Sequence, residues 1–361
     1  MPPEAAARAT VADLLGTCPT PFTQHDRVLL GHGSGGRLSA DLIHKLFLPV
    51  LGNDVLSRLE DQATCSLQPH ANARIAFTTD SFVVKPIFFP GGDIGSLAVH
   101  GTVNDLAMGG AIPLWISAAF ILEEGLPIDD LRRIVTSMRA ACDGAGVTLV
   151  AGDTKVVDRG KGDQVFITTS GVGIVPDDRA LSAGSCRPGD RIILSGTIGD
   201  HGIAIMSVRE GIEFETTLES DTASLVDLTR VMLEVGAGIR CMRDPTRGGV
   251  SSALHEIAAA SHVGMTLNET AVPVRAEVRG ACEILGLDPL YVANEGKLIA
   301  IVAPDVAPAL VDLMRNHPLG ADAVIVGEVV ADHPGMVVMR SRVGGERVVT
   351  MLAGEQLPRI C

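Results

Sequence analysis

The chain has 361 residues, enough for two domains that each bury a core, and carries 43 Asp and Glu against 29 Lys and Arg for a net charge of −14. So acidic a chain offers no basic face with which to displace counterions from a nucleic acid, which excludes nucleic-acid binding as its role. A membrane span is excluded too: the longest apolar stretch, Ala111 to Leu122, is broken by Pro113 and Ser117 and is shorter than the roughly 20 residues that a spanning helix needs.

Val28 to Gly36 reads as a short apolar run entering a glycine-rich loop, Gly31-His-Gly-Ser-Gly-Gly36, after which Leu38, Leu42, Leu46 and Phe47 share one helical face. Ala73 to Thr79 reads as a strand ending at Asp80. Gly92 to Leu106 reads as a helix unusually rich in small residues, and Trp115 to Leu122 as a strand. The next helix is well signalled: Pro127 lies near its start, Asp129 and Asp130 fall in its first turn, and Leu131, Ile134, Val135 and Met138 form its apolar face up to about Gly144. Val147 to Ala151 and Val165 to Val175 are two further strands.

The segment Pro176 to Asp190, rich in Pro, Gly, Asp and Ser, marks a domain boundary. The alternation then resumes. A strand spans Arg191 to Leu194, one helix follows Gly199-Asp-His-Gly202 and another follows Thr246-Arg-Gly-Gly249, with Val250, Leu254 and Ile257 on its apolar face. Strands Lys297 to Val302 and Ala323 to Val329 complete the reading. The residues from Ala353 to Cys361 have no periodicity and few apolar side chains, and read as a mobile tail whose loss costs little folding energy. The expected organisation is an N-terminal extension over 1–30, a domain over 31–175, a second over 176–350 and the tail over 351–361. The alternation predicts an α/β class with helices packed on mixed sheets.

Four constellations bear on chemistry. The glycines of the loop, Gly33, Gly35 and Gly36 among them, let a backbone approach phosphate, although the spacing is not a Walker A motif and, taken alone, an ordinary flexible turn is the commoner reading. Asp61, Asp80, Asp105 and Asp153 are either turn and cap residues or oxygen ligands for Mg²⁺. Asp105 stands out, because it closes a helical stretch where the helix dipole disfavours an anion and a cation would relieve it. Gly152-Asp153-Thr154-Lys155 follows an apolar run, at the place where α/β sheets bind ligands. Lys155 would make a proton-transfer pair with Glu295 if the fold brought the two together. The last constellation is the terminal Cys361, approached through Pro358 and Arg359. The arginine favours a thiolate, and the nine residues from Ala353 reach about 30 Å when extended. Of the seven cysteines no two form a Cys-x-x-Cys, so a disulfide framework or zinc site is not expected and a reducing cytoplasm is.

Read in order, Phe77-Thr-Thr-Asp-Ser81, Gly101-Thr-Val-Asn-Asp105, Gly152-Asp-Thr-Lys-Val-Val157, Ser195-Gly-Thr-Ile-Gly-Asp-His-Gly202, Arg243-Asp-Pro-Thr-Arg-Gly-Gly249, Ala293-Asn-Glu-Gly-Lys-Leu298 and the terminal Pro358-Arg-Ile-Cys361 resemble the HypE family of hydrogenase maturation factors. That family belongs to the superfamily of aminoimidazole ribonucleotide synthetase. Ser34 stands where the family's loop has a further glycine. The resemblance implies a two-domain aminoimidazole ribonucleotide synthetase-like fold whose N-terminal domains pair in a homodimer. It implies ATP and Mg²⁺ at that interface, near Gly33, Gly35, Gly36, Asp80, Asn104, Asp105, Asp153 and Thr154, with the metal on Asp61, Asp80, Asp105 and Asp153. It also implies a reaction in which a HypF-like carbamoyltransferase loads Cys361, ATP drives dehydration of the thiocarbamate to a thiocyanate, and the cyano group passes to iron on a HypC–HypD scaffold. Lys155 and Glu295 would handle the amide protons. The rivals are a superfamily enzyme acting on a free small molecule and a non-catalytic carrier of a modified cysteine.

Overall fold

The small-residue stretch that follows Gly92 organises the first half of the protein. In the computed structural model, which describes residues 26–29, 42–53, 57, 73–176, 179–211, 218–351 and 360–361, the π-helical turn Ile43–Phe47 leads into α1 (Leu48–Leu51), and then come β1 (Ala73–Phe82), β2 (Phe88–Phe89), β3 (Gly92–Asp93) and α2 (Ile94–Met108). Asp93 caps α2 by accepting from the N–H groups of Gly95 and Ser96, while the Ser96 hydroxyl accepts from the Asp93 N–H. The lack of side chains on α2 is a packing requirement. A Cβ at Gly101 would press into the Phe82 ring of β1. One at Gly95 would strike the Ile134 carbonyl of α3 (Ile128–Ala145).

β4 (Ile112–Glu123), β5 (Thr148–Val157) and β6 (Val165–Pro176) complete a four-stranded sheet in the order β1-β6-β4-β5, parallel only between β4 and β5. The helix α2 lies on one face, with α3 packed against it. The other face is open, and Ile75 and Phe77 on it are 65% and 68% exposed. Three strands are longer than the sequence predicts, and β4 spans Ile112–Glu123 where Trp115 to Leu122 is expected. β1 runs on through Asp80 to Phe82, and β5 continues through Gly152-Asp-Thr-Lys155 to Val157. The polar run of β5 therefore lies within an edge strand and not beyond a strand end. Pairing with β4 supplies its hydrogen bonds; Asp153 and Lys155 face the open side, while Thr154 lies beside Phe120 on the helix side.

The second half contains β7 (Arg191–Leu194), α4 (Asp200–Glu210), α5 (Val226–Leu233), β8 (Ile239–Arg243), α6 (Gly249–Ser261), β9 (Gly264–Asn268), α7 (Ala276–Leu285), β10 (Ile299–Val302), α8 (Ala307–Arg315), β11 (Val324–Val330), β12 (Val337–Arg340) and β13 (Glu346–Val349). Its seven-stranded sheet has the order β13-β12-β9-β11-β7-β10-β8, parallel only between β9 and β12. β10 is buried along its whole length, which explains its unbroken Ile-Ala-Ile-Val sequence. One apolar cluster spans both halves. Ala107 and Met108 of α2 join Ile193, Leu225, Leu228, Leu298 and Ala300, so the end of α2 is fixed against the second sheet.

Candidate active site

The loops of the second half converge on the C-terminal end of α2, and a few buried polar side chains hold them there. Asn294 accepts the Gly199 N–H (2.7 Å) at the start of α4 and donates to the carbonyls of Pro245 (2.9 Å) and Val292 (3.1 Å). Asn104 of α2 donates to the carbonyl of Ala223 (3.0 Å) and, at 3.4 Å, to that of Glu295, and accepts the Leu225 N–H (2.7 Å). Asp221 accepts the Glu295 N–H (3.0 Å) and lies 3.5 Å from Lys297. Gly249, at φ +60°, lets α6 start against the carbonyls of Leu290 and Val292, where a Cβ has no room. Glu295 is thus buried among three loops and α2.

Around it stands a group of carboxylates. Burial raises the pKa of Asp80, against the opposing effects of the Ser81 N–H and Arg247. Burial also raises Asp105, which accepts from the Thr78 hydroxyl (2.9 Å) and is further raised by repulsion from Asp80. Asp244 is pushed up to about 7 by burial and then by Asp105 and Asp80. Burial drives Glu295 well above the usual carboxylate range, helped by Asp244, Asp221 and Asp80, so its neutral form is favoured. One Glu295 oxygen has no hydrogen-bond partner.

The last residue of the chain lies here as well. Cys361 is partly buried and lies beside Glu295, close enough that each group shifts the ionisation of the other. Burial and Glu295 raise its thiol well above the ordinary range, while Arg247 opposes the shift. In this position it is a thiol and not the thiolate that the neighbouring Arg359 suggested. Ile360 is 3% exposed and joins the first-half core with Phe89, Ile205 and Ala293. The end of the tail therefore does bury an apolar side chain, contrary to the sequence expectation that its loss is nearly free.

The predicted residues divide into three groups. Gly33, Gly35, Gly36 and Asp61 lie outside the described residues. Asp80, Asp105, Glu295 and Cys361 come together. Asn104, expected to bind nucleotide, instead spends both ends of its amide on tying Glu295 and the 223–225 loop to α2. Asp153 and Lys155 form an exposed ion pair (3.6 Å) on the open face of β5, while Thr154 donates its N–H to Asp153 (2.8 Å). Asp80 points to the helix side of β1, toward Gly101, and β1 is the opposite edge of the sheet. Three strand spacings, about 14 Å, separate the two edges. One chain therefore does not bring Asp153 to Asp80 or Lys155 to Glu295.

Sequence reasoning missed Asp221, Asp244 and Arg247. The signal for the last two was the acid-proline-arginine-glycine order in Arg243-Asp-Pro-Thr-Arg-Gly-Gly249, a loop between a strand and a helix. Among the described residues no group of three or more His, Cys, Asp or Glu side chains is assembled to hold a metal. The mutually repelling carboxylates of Asp80 and Asp105 nevertheless suit a hard divalent cation whose remaining ligands come from phosphate or water.

The architecture and this interdomain site define the AIR synthase related proteins: their N-terminal domain matches residues 59–175 and their C-terminal domain residues 187–339. A curated relative, carbamoyl dehydratase HypE of Cupriavidus necator, is 56% identical over 335 residues, 93% of this chain and 95% of that one. The crystal structure of hydrogenase maturation protein HypE in complex with ATP superposes with a TM-score of 0.88 at 50% identity, covering 92% of this chain and 99% of the other. The HypE chain of a HypE–HypF complex does so at 0.75 and 46%, covering 86% and 99%. The chain belongs to the HypE family of carbamoyl dehydratases.

Proposed function

We propose that this chain is an ATP-dependent carbamoyl dehydratase whose substrate is carried on its own Cys361. The observation that carries the reading is the terminal thiol buried beside Glu295, a buried carboxyl whose pKa is raised, amid the Asp80, Asp105 and Asp244 carboxylates. A solved HypE relative contains ATP, which supports a nucleotide here. In the reaction the carbamoyl oxygen on Cys361 attacks the γ-phosphorus of ATP and releases ADP. Loss of one proton from nitrogen leaves an O-phosphorylated thioimidate. Loss of the second N–H proton then expels phosphate and forms the nitrile of a thiocyanate. The phosphate is needed because an amide oxygen is a poor leaving group, and the site contributes mainly positioning.

Glu295 sits beside the sulfur that carries the amide and, once ionised, accepts one of the N–H protons. The Arg247 charge reaches both Asp80 and Cys361, which suits it to the transferred phosphoryl group. Mg²⁺ would be held by Asp80 and Asp105 together with nucleotide phosphates, and when bound it neutralises phosphate charge.

The pair Asp153 and Lys155 enters this scheme through a homodimer. The open sheet face that carries them is the apolar surface that a second copy would cover, so one chain's Lys155 serves its partner's site. A HypF-like carbamoyltransferase would load Cys361, as the solved HypE–HypF complex of a relative supports, and a HypC–HypD scaffold would receive the cyano group. The test is intact-mass analysis of the C-terminal peptide after incubation with the carbamoyltransferase, carbamoyl phosphate and Mg-ATP. Gain of a carbamoyl group followed by loss of one water is expected. A carbamoyl mass that persists through ATP hydrolysis would overturn the reading.

A further inference from the structure

His201, in the first turn of α4, is completely buried and hydrogen-bonded at both ring nitrogens. Nε2 is 2.8 Å from the Ile360 carbonyl oxygen and Nδ1 is 2.8 Å from the Ser220 hydroxyl. A carbonyl oxygen only accepts, so Nε2 carries the proton. In a neutral ring Nδ1 then accepts from Ser220, whose oxygen is free to accept the Thr222 N–H at 3.1 Å. The Phe89 ring lies edge-on to the imidazole, with centroids 5.6 Å apart, and fixes its plane. The Ser220 backbone is itself tied down by donating its N–H to the Pro90 carbonyl at 2.8 Å.

We propose that His201 is a positioning residue, a latch that reads the backbone of the next-to-last residue and thereby seats Cys361 against Glu295. The latch and Glu295 are held to one another. The Gly199 N–H that opens α4 bonds to Asn294, and the Gly202 N–H bonds to the Ala293 carbonyl at 3.1 Å, so the residues flanking His201 grip the two residues before Glu295. Because the contact is to a carbonyl, it places the terminal side chain by chain position and leaves the sulfur free for chemistry. Loading of Cys361 by a separate enzyme then requires this bond to open, and its strength sets how often the thiol leaves the site.

The inference rests on the reading of Cys361 as the carrier, but its principal test does not. The full chain is treated with iodoacetamide under native conditions, and alkylation of Cys361 is timed by the mass of the C-terminal peptide. His201→Leu should speed alkylation about tenfold, the factor that corresponds to about 1.4 kcal/mol. His201→Gln, whose amide N–H replaces the Nε2 donor, should stay within about twofold of wild type. Ser220→Ala, which removes only the hydroxyl that orients the ring, should give about a threefold rise and serves if His201→Leu does not fold. In single-turnover assays on a pre-carbamoylated chain, nitrile formation should slow in parallel while ATP affinity is unchanged. Alkylation no faster in His201→Leu or Ser220→Ala, or as fast in His201→Gln as in His201→Leu, would sink the latch. Faster alkylation with undiminished nitrile formation would sink its positioning role.

Discussion

Burial is the chief cause that raises the pKa of both Glu295 and Cys361; Glu295 raises Cys361 further, while Cys361 acts to lower Glu295. Burial thus disfavours the charged form of both groups in the resting site. Glu295→Gln keeps the neutral shape and removes the base. It should bind ATP normally yet slow single-turnover nitrile formation by at least about 100-fold. The same substitution has a stability signature. A carboxyl with a raised folded pKa gives stability that is fully present below its unfolded pKa near 4.5 and is lost as pH rises toward the folded value. Urea melts should thus show Glu295→Gln gaining on the wild type as pH is raised from 4.5. His100 gives the opposite sign. Burial lowers its pKa from 6.5 to about 4, so the neutral ring stabilises the fold above 6.5 and the benefit is lost as pH falls toward 4. His100→Gln should flatten that acid limb by up to about 3 kcal/mol, read from melts at pH 7 and pH 4.

At the scale of elements, the site is built where backbones touch, and the glycines mark the contacts. A Cβ at Gly296 would run into the Asp221 carbonyl, and Asp221 is the residue that holds the Glu295 N–H. Gly296→Ala should separate these two loops. It should cost at least about 2 kcal/mol in urea melts and lower nitrile formation even where the protein remains folded. Such contacts also explain what was legible in the sequence. The helix α3 could be read because proline, acidic first-turn residues and a 3.6-residue apolar stripe agree, and Gly146 ends it in a left-handed conformation. Cys142 and Cys282 lie buried among the apolar residues of α3 and α7. β5 was cut short because Gly152 to Lys155 is polar, and an edge strand with an open face gives no apolar alternation there. The gathering of Asn104, Asp221, Glu295 and Cys361 was not legible. It depends on hydrogen bonds between residues as many as 191 apart, and their pattern leaves no periodic trace in the sequence.

At the scale of the whole molecule, the proposed reading turns on two features: the open sheet face and the terminal cysteine. Phe77 lies on that face, already exposed, so Phe77→Asp should leave the fold intact. It should give monomers by light scattering and lose ATP turnover, because Asp153 and Lys155 would no longer reach a partner's site. Monomers that turn over normally would refute the shared-site arrangement. The terminus calls for a separation of roles. Ile360 supplies burial, so Ile360→Ala should cost about 2–4 kcal/mol and loosen the seat of the thiol without removing it. Cys361 supplies the sulfur. Cys361→Ala should abolish nitrile formation while sparing stability and ATP binding, since Asp80 and Asp105, proposed to meet the nucleotide through its metal, lie in the first half. Cys361→Ser should fail too, because a hydroxyl is a far weaker nucleophile than a thiolate for accepting a carbamoyl group once the tail has left the site. The measurement is transfer of cyanide to iron on the scaffold complex, scored by the C≡N infrared stretch. If the Cys361→Ala chain still delivers that signal at the wild-type rate, the terminal residue carries nothing, and the enzyme acts on a free small molecule instead.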